Sequence, residues 1–207
     1  MKLDNKVTSE ELTEIVGEPS DVARKKVISF LDEHCRHFIE RSPFIVLSTS
    51  DADGKCDASP RGDAPGFVSV LNEKQLLIPD RKGNNRVDSL KNIIANPHVG
   101  LLFLIPGLRE TLRINGKAFV TKDSELLEPL VAQGIVPKLG IVVEVEECYL
   151  QCGKAVHRSG LWNSLTWASK EELPSPAKIY ADHVKIDGMD EEAMEKRLEE
   201  GYLKRLY

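Results

Sequence analysis

With 207 residues, 41% of them hydrophobic and 29% charged, the chain has the composition of a folded globular protein with room for one sizeable core, which excludes a fibre or a disordered tract. Its net charge of −5 argues against a general nucleic-acid binder, since such proteins present a basic field over a whole face. Basic residues are local instead: Arg61, Arg81, Lys82, Arg86, Arg109, Arg113 and Lys117 fall within about one third of the sequence, a grouping that suits a small anionic ligand.

The opening Met-Lys-Leu-Asp-Asn-Lys has behind it no apolar segment of the kind a secretory signal needs. The most apolar run, Val99–Ile105, is far shorter than the roughly 20 residues that span a bilayer. A cytoplasmic protein with no membrane or nucleic-acid partner is the expectation, and Cys35, Cys56, Cys148 and Cys152 are then expected as thiols.

In chain order, Ser9-Glu-Glu followed by Leu12, Ile15 and Val16 predicts a short helix ending at Gly17. Val22, Val27, Leu31, Cys35, Phe38 and Ile39 recur every three to five residues and predict one amphipathic helix over 21–39. His34, Cys35 and His37 on that helix invite a metal reading, but zinc asks for three or four converging ligands and no partner is apparent, so Cys35 reads as core. Pro43 ends the helix. Phe44–Ser50 reads as a strand that turns at Asp51-Ala-Asp-Gly54 and returns through Cys56 to Ser59, forming a hairpin.

Two apolar runs, Phe67–Leu71 and Gln75–Ile78, then deliver the turn Pro79-Asp-Arg-Lys-Gly-Asn-Asn-Arg86, which opens a helix from about Asn85 to Ala95. This arrangement can make a phosphate site. A helix start leaves backbone N–H groups unpartnered and carries partial positive charge. Asn84 or Asn85 can cap it, Gly83 permits unusual backbone angles, and Arg81, Lys82 and Arg86 supply charged donors. An ordinary solvated turn is the competing reading of the octapeptide alone, and the neighbouring Ser59-Pro-Arg-Gly-Asp63 weighs against it.

Val99–Ile105 follows as a buried strand. Thr111–Val120 alternates, with Thr111, Arg113, Asn115 and Lys117 sharing one side. Asp123-Ser-Glu-Leu-Leu opens a short helix, and Leu139–Glu146 is a further strand. Helices are expected over Cys152–Arg158, Ala177–Val184 and Met189–Arg205, with a linker at Leu173-Pro-Ser-Pro176. Many strands, few strand-helix-strand units and two small inserted helices point to a mainly β chain with helices, arranged as an antiparallel barrel rather than a doubly wound sheet. Cys148 and Cys152, and the pair Trp162 and Trp167, read as packing residues before they read as ligands.

Five stretches, SPRGD at 59–63, IPDRKGNNR at 78–86, NPHVGLLFLIPG at 96–107, RETLRINGKA at 109–118 and CGKAVHRSGLW at 152–162, resemble the pyridoxamine 5′-phosphate oxidase-like flavoproteins, over about residues 22–165. The likeness is nearest to an uncharacterised FMN-dependent branch with an added amino-terminal helix. It implies an FMN-binding split antiparallel β-barrel over 43–165, with an amino-terminal helical extension at 1–42 and a carboxy-terminal helical segment at 166–207. It also implies a homodimer with FMN at the subunit interface and a small-molecule substrate.

Carried over by position, Asn84, Asn85 and Arg86 match where the family grips the FMN phosphate, with Arg61 reaching in from the SPRGD strand. Pro79 and Asp80 match positions whose backbone lies along the flavin. Thr111 stands where the oxidase has a glutamine near the ring, and Arg113 follows on the same face. Arg158 is the counterpart of an arginine supplied by the second subunit, with Trp162 nearby. The oxidase's Arg-x-His substrate motif is missing here, because the corresponding residues read Arg158-Ser-Gly160, with His157 before the arginine. Pyridoxamine phosphate is therefore not the expected substrate.

The resemblance implies an FMN-dependent oxidoreductase. Flavin brings its own redox chemistry, so the chain's lack of a Ser/His/Asp or Cys/His constellation does not count against it. Arg61 or Arg113 would favour the reduced anionic ring. The alternatives are a flavin-binding or redox-sensing protein without turnover, and a haem-binding barrel, against which the basic turn and the lack of a placed axial histidine both speak.

Overall fold

The computed structural model describes residues 6–207; residues 1–5, on which the reading of the polar opening rests, lie outside it. Among the described residues, seven strands form one antiparallel sheet in the order β2-β1-β5-β6-β7-β4-β3. They are β1 (Phe44–Ser50), β2 (Cys56–Gly62), β3 (Ser69–Val70), β4 (Gln75–Pro79), β5 (His98–Leu104), β6 (Thr111–Thr121) and β7 (Gly140–Gln151). Eight α-helices accompany them: α1 (Ser9–Val16), α2 (Asp21–Lys25), α3 (Glu33–Arg41), α4 (Asp88–Ala95), α5 (Ser124–Leu127), α6 (Lys154–Ser159), α7 (Pro176–Val184) and α8 (Glu191–Lys204).

Alternation in the strands builds the core. Ile45 and Leu47 of β1, Leu101 and Phe103 of β5, Leu112 and Ile114 of β6, and Ile141 and Val143 of β7 turn inward and are buried, as are Leu76 and Ile78 of β4. β4 is buried on both faces, since Leu77 lies under the chain near Gly140 and Leu127. Thr8 and Glu11 form a capping box that starts α1, the helix expected there, and every residue of α1 is exposed.

The single helix expected over 21–39 is two. α2 ends at Lys25, and α3 begins at Glu33, where the Asp32 side chain accepts from the Cys35 amide and caps it. The reason lies far away in the sequence. β7 runs past the end of β4, which leaves part of its edge unpaired, and Ile28 exchanges two backbone hydrogen bonds with Cys148 there, at 3.0 and 2.7 Å. Satisfying a buried strand edge outweighs continuing an isolated helix. Cys35 and Cys148 are buried free thiols in contact, with the Cys148 thiol donating to the Cys35 sulfur at 3.3 Å. That contact, together with burial, pushes the Cys148 thiol well up and keeps it protonated.

Between β6 and β7 the register shifts at Asn115/Gly116, where Glu146 is the extra residue of a β-bulge. Gly116 faces inward there, and a Cβ on it would collide with the Glu144 carbonyl oxygen and lie 3.3 Å from the Glu146 nitrogen. Backbone cannot move aside as a flexible side chain would. Gly116→Ala is therefore expected to destabilise the protein by about 1–3 kcal/mol, read as a lower urea midpoint with an unchanged slope.

Candidate functional site

β2 is an edge strand, yet Asp57, Ser59 and Arg61 share the inward face with Thr49, Leu47 and Ile45 of β1. This polar row is covered by the first turns of α4, which packs on β1, β2 and β6. The Ser89 hydroxyl, 2% exposed, donates to Asp57 Oδ2 at 2.6 Å, and the Ser59 hydroxyl donates to Asp57 Oδ1 at 2.9 Å. Arg61 Nη2 donates to Ser89 Oγ at 3.1 Å, and Nη1 donates to the Pro60 carbonyl at 2.9 Å. Asn92, one turn along α4, donates to Thr49 Oγ1 at 3.0 Å. Asp57 thus spends its charge on hydroxyls, while the Arg61 guanidinium makes no carboxylate pair among the described residues.

The loop before α4 departs from the sequence reading in three ways. The helix begins at Asp88, not Asn85, and neither asparagine caps it: the Asn84 side chain instead accepts from the Arg86 amide at 3.1 Å. Left-handed backbone falls on Asn85 (φ 62°) and Val87 (φ 53°), not on Gly83, and for the β-branched Val87 that conformation carries strain. Arg81 turns away: its Nε donates to Asp63 Oδ2 at 2.7 Å and its Nη1 to the Leu130 carbonyl at 2.7 Å. Arg86 is exposed and paired with Asp88 at 2.8 Å, and Lys82 is exposed.

Val87 occupies the cap position of α4 without a side-chain bond to the helix. Side chains of Thr8, Ser20, Asp32, Asp123, Ser175 and Asp190 cap six of the other helices, and only α6 shares the lack. The first amides of α4 donate to no capping side chain, and the Arg61 guanidinium reaches Ser89 in the first turn. That is the donor set a phosphate-type anion requires.

Pro79 is buried at the end of β4, and Asp80 follows it, its amide donating to the Leu139 carbonyl at 3.0 Å. Burial pushes the Asp80 carboxyl above its usual value, and the Arg61 charge offsets part of that rise. Burial likewise acts upward on Asp63, but the Tyr207 hydroxyl, the Ala64 amide and Arg81 outweigh it and hold that carboxyl below its usual value.

Three expected residues lie elsewhere. Arg61 shares a face with Ile45, Phe103 and Leu112, whereas Arg113 pairs with Leu102 and Tyr149 and so projects from the other face, with Thr111. Two cations approach the Tyr149 ring there, Lys26 at 5.1 Å and Arg113 at 5.8 Å from its centroid. Arg158 is exposed on α6, and Trp162 beyond it donates to the Leu108 carbonyl at 2.8 Å. Within one chain, Arg61, Asp80 and the 84–89 segment come together; Thr111, Arg113 and Arg158 do not join them.

Sequence reasoning missed Asp57, Ser89 and Asn92. The two-residue spacing of Asp57, Ser59 and Arg61 was the available signal, because it places all three on one strand face. Cys148 belongs to β7 and Cys152 is exposed beyond its end, so the two share no helix. Among the described residues no cluster of three or more His, Cys, Asp or Glu is placed to hold a metal, and no helix is long and apolar enough to cross a membrane. Cavities of about 580 Å³ beside Ile93, Pro97 and Phe119, and about 540 Å³ between α7 and α8, contain none of the candidate residues.

The antiparallel sheet with its covered edge strand defines a mixed α/β split barrel of the pyridoxamine 5′-phosphate oxidase-like fold. Residues 31–152, more than half of the chain, match the pyridoxamine 5′-phosphate oxidase family, and the chain belongs to that family. No curated protein matches it. Among solved structures, the chain is similar to HupZ of Group A Streptococcus, with 15% identity, 57% of this chain and 92% of that one covered, and a TM-score of 0.48. It is also similar to a Lactobacillus delbrueckii protein assigned as a pyridoxamine 5′-phosphate oxidase (20% identity, 59% and 95% covered, TM-score 0.48). A third is HutZ, the haem storage protein of Vibrio cholerae (17%, 58% and 93%, 0.41). At these values the likenesses carry nothing about ligand or activity.

Asp80 gives the site a pH signature. A carboxyl raised on folding binds its proton more tightly in the native state, so stability falls as pH climbs from the usual 3.8 through the raised value. Asp80→Asn is expected to raise stability at pH 7 and leave it unchanged below pH 3.8, measured as urea unfolding at both pH values.

Proposed function

We propose that the chain is an FMN-binding oxidoreductase acting on a small molecule, working in the cytoplasm as a homodimer. The barrel over 43–165 is read as the flavin-binding unit, flanked by helical segments at 1–42 and 166–207. The observation that carries this reading is the uncapped start of α4 with the Arg61 guanidinium on Ser89 beside it. A terminal phosphate needs both backbone donors and a cation, and both are available there.

In this reading Arg61, Ser89 and the first amides of α4 hold the phosphate, with Arg86 and the Asn84–Asn85 turn closing over it. Pro79 and Asp80 line the adjoining backbone. Bound flavin supplies two-electron redox chemistry, and the chain supplies orientation and charge. Thr111 and Arg113 project from the opposite face of the sheet, so a second copy is the source of these groups and of Arg158 at a shared ligand. That arrangement supports a dimer with the cofactor at its interface.

Titrating the purified protein with FMN is expected to quench flavin fluorescence at one FMN per chain. Arg61→Ala is expected to weaken binding by about 1.5–3 kcal/mol, roughly 10- to 150-fold, through loss of a charge-assisted hydrogen bond. No quenching at saturating FMN, or a Soret band on adding haem to a protein that ignores flavin, would sink the assignment. Steady-state oxidation of a reduced nicotinamide by the FMN-loaded protein separates an enzyme from a flavin-binding protein without turnover.

A further inference from the structure

The helices α7 and α8 pack on each other, with Ala177 and Met194 buried between them. Their outer surface stays open, with Leu203 82% and Tyr202 70% exposed. Among the described residues, one side-chain hydrogen bond ties the segment 168–207 to the barrel. Tyr207 Oη donates to Asp63 Oδ1 at 2.7 Å. The same phenol ring has the Arg81 guanidinium 6.0 Å from its centroid.

Asp63 and Arg81 form a pair withdrawn from water, with side chains 6% and 17% exposed, at 2.7 Å. Such a pair is stable only when its remaining hydrogen-bonding capacity is filled. Asp63 Oδ1 accepts from the Ala64 amide and from Tyr207, Oδ2 accepts from Arg81, and Arg81 also reaches the Leu130 carbonyl. Asp63 stands just beyond β2, two residues from Arg61, and Arg81 opens the loop that leads into α4. Tyr207, just beyond α8, therefore touches the two residues from which the end of β2 and the 80–87 loop run to the candidate anion site.

We propose that Tyr207 is a positioning residue that couples docking of the α7–α8 hairpin to the order of the 80–87 loop and so to ligand affinity. One hydrogen bond to a charged group and one cation–aromatic contact make a tie weak enough to open and close. Coupling of this kind is reciprocal: a ligand that orders the loop also holds the hairpin down. The affinity half of the inference rests on the FMN reading, and the loop half does not.

The test is Tyr207→Phe, which keeps the ring and removes only the hydroxyl. In ligand-free protein, amide hydrogen exchange in 80–87 and in α8 is expected to rise at least about threefold, with exchange in β5 and β6 unchanged as the sign of an intact barrel. FMN affinity is expected to fall about five- to tenfold, the range of a typical coupling energy. FMN should in turn slow exchange in α8 of the unmodified protein. Loop exchange equal to that of the unmodified protein overturns the proposal, whatever FMN does. Faster loop exchange with FMN affinity unchanged, in a protein that binds FMN, also overturns it. Faster loop exchange in a protein that binds no FMN supports the tie and removes the flavin reading alone.

Discussion

The hydrogen bond from the buried Ser89 hydroxyl to Asp57 decides how the rest of the site is built. An inward-facing carboxylate on an edge strand would be costly in an apolar interior, and it persists here because hydroxyls of Ser59 and Ser89 converge on it. Meeting that demand fixes α4 over β2 at one depth and one rotation. Arg61, two residues from Ser59 on the same face, is thereby brought to the start of α4 instead of out into solvent. The first turn of the helix and the cation beside it are thus set by one polar contact.

The sheet imposes the second constraint. Successive side chains alternate between its faces, so Arg61 and Arg113 cannot meet around one ligand within a single chain. The Arg113 side of the sheet carries its own stack, Lys26 and Arg113 about the Tyr149 ring, and half-exposed apolar groups such as Phe119.

Much of the fold was legible because most strands carry local signatures. The apolar run that opens Phe44–Ser50, alternation in Thr111–Val120, the Asp51–Gly54 turn and Pro43 each act over a few residues, and family motifs mark the segment before α4. The broken helix at 26–32 was illegible, since its cause is an unpaired edge of β7 more than one hundred residues away. Arg81 was misassigned for a similar reason: its partners, Asp63, Leu130 and Tyr207, are scattered along the chain, and a run of basic residues does not say which of them is already engaged. The true start of α4 was hidden because Val87 adopts a left-handed conformation that its side chain disfavours, which no propensity would assign.

The bulge at Glu146 has a consequence for the whole second half of β7. Before it, Val143 and Val145 look into the core; after it, Cys148 does, and Tyr149 looks out. Strict alternation through this point, with the same residues and no bulge, would invert the parity of everything downstream, turning the tyrosine phenol inward and the thiol toward water. The bulge therefore sets the phase of the strand: by absorbing one residue it keeps the thiol in the core and the cation-flanked ring on the outer surface.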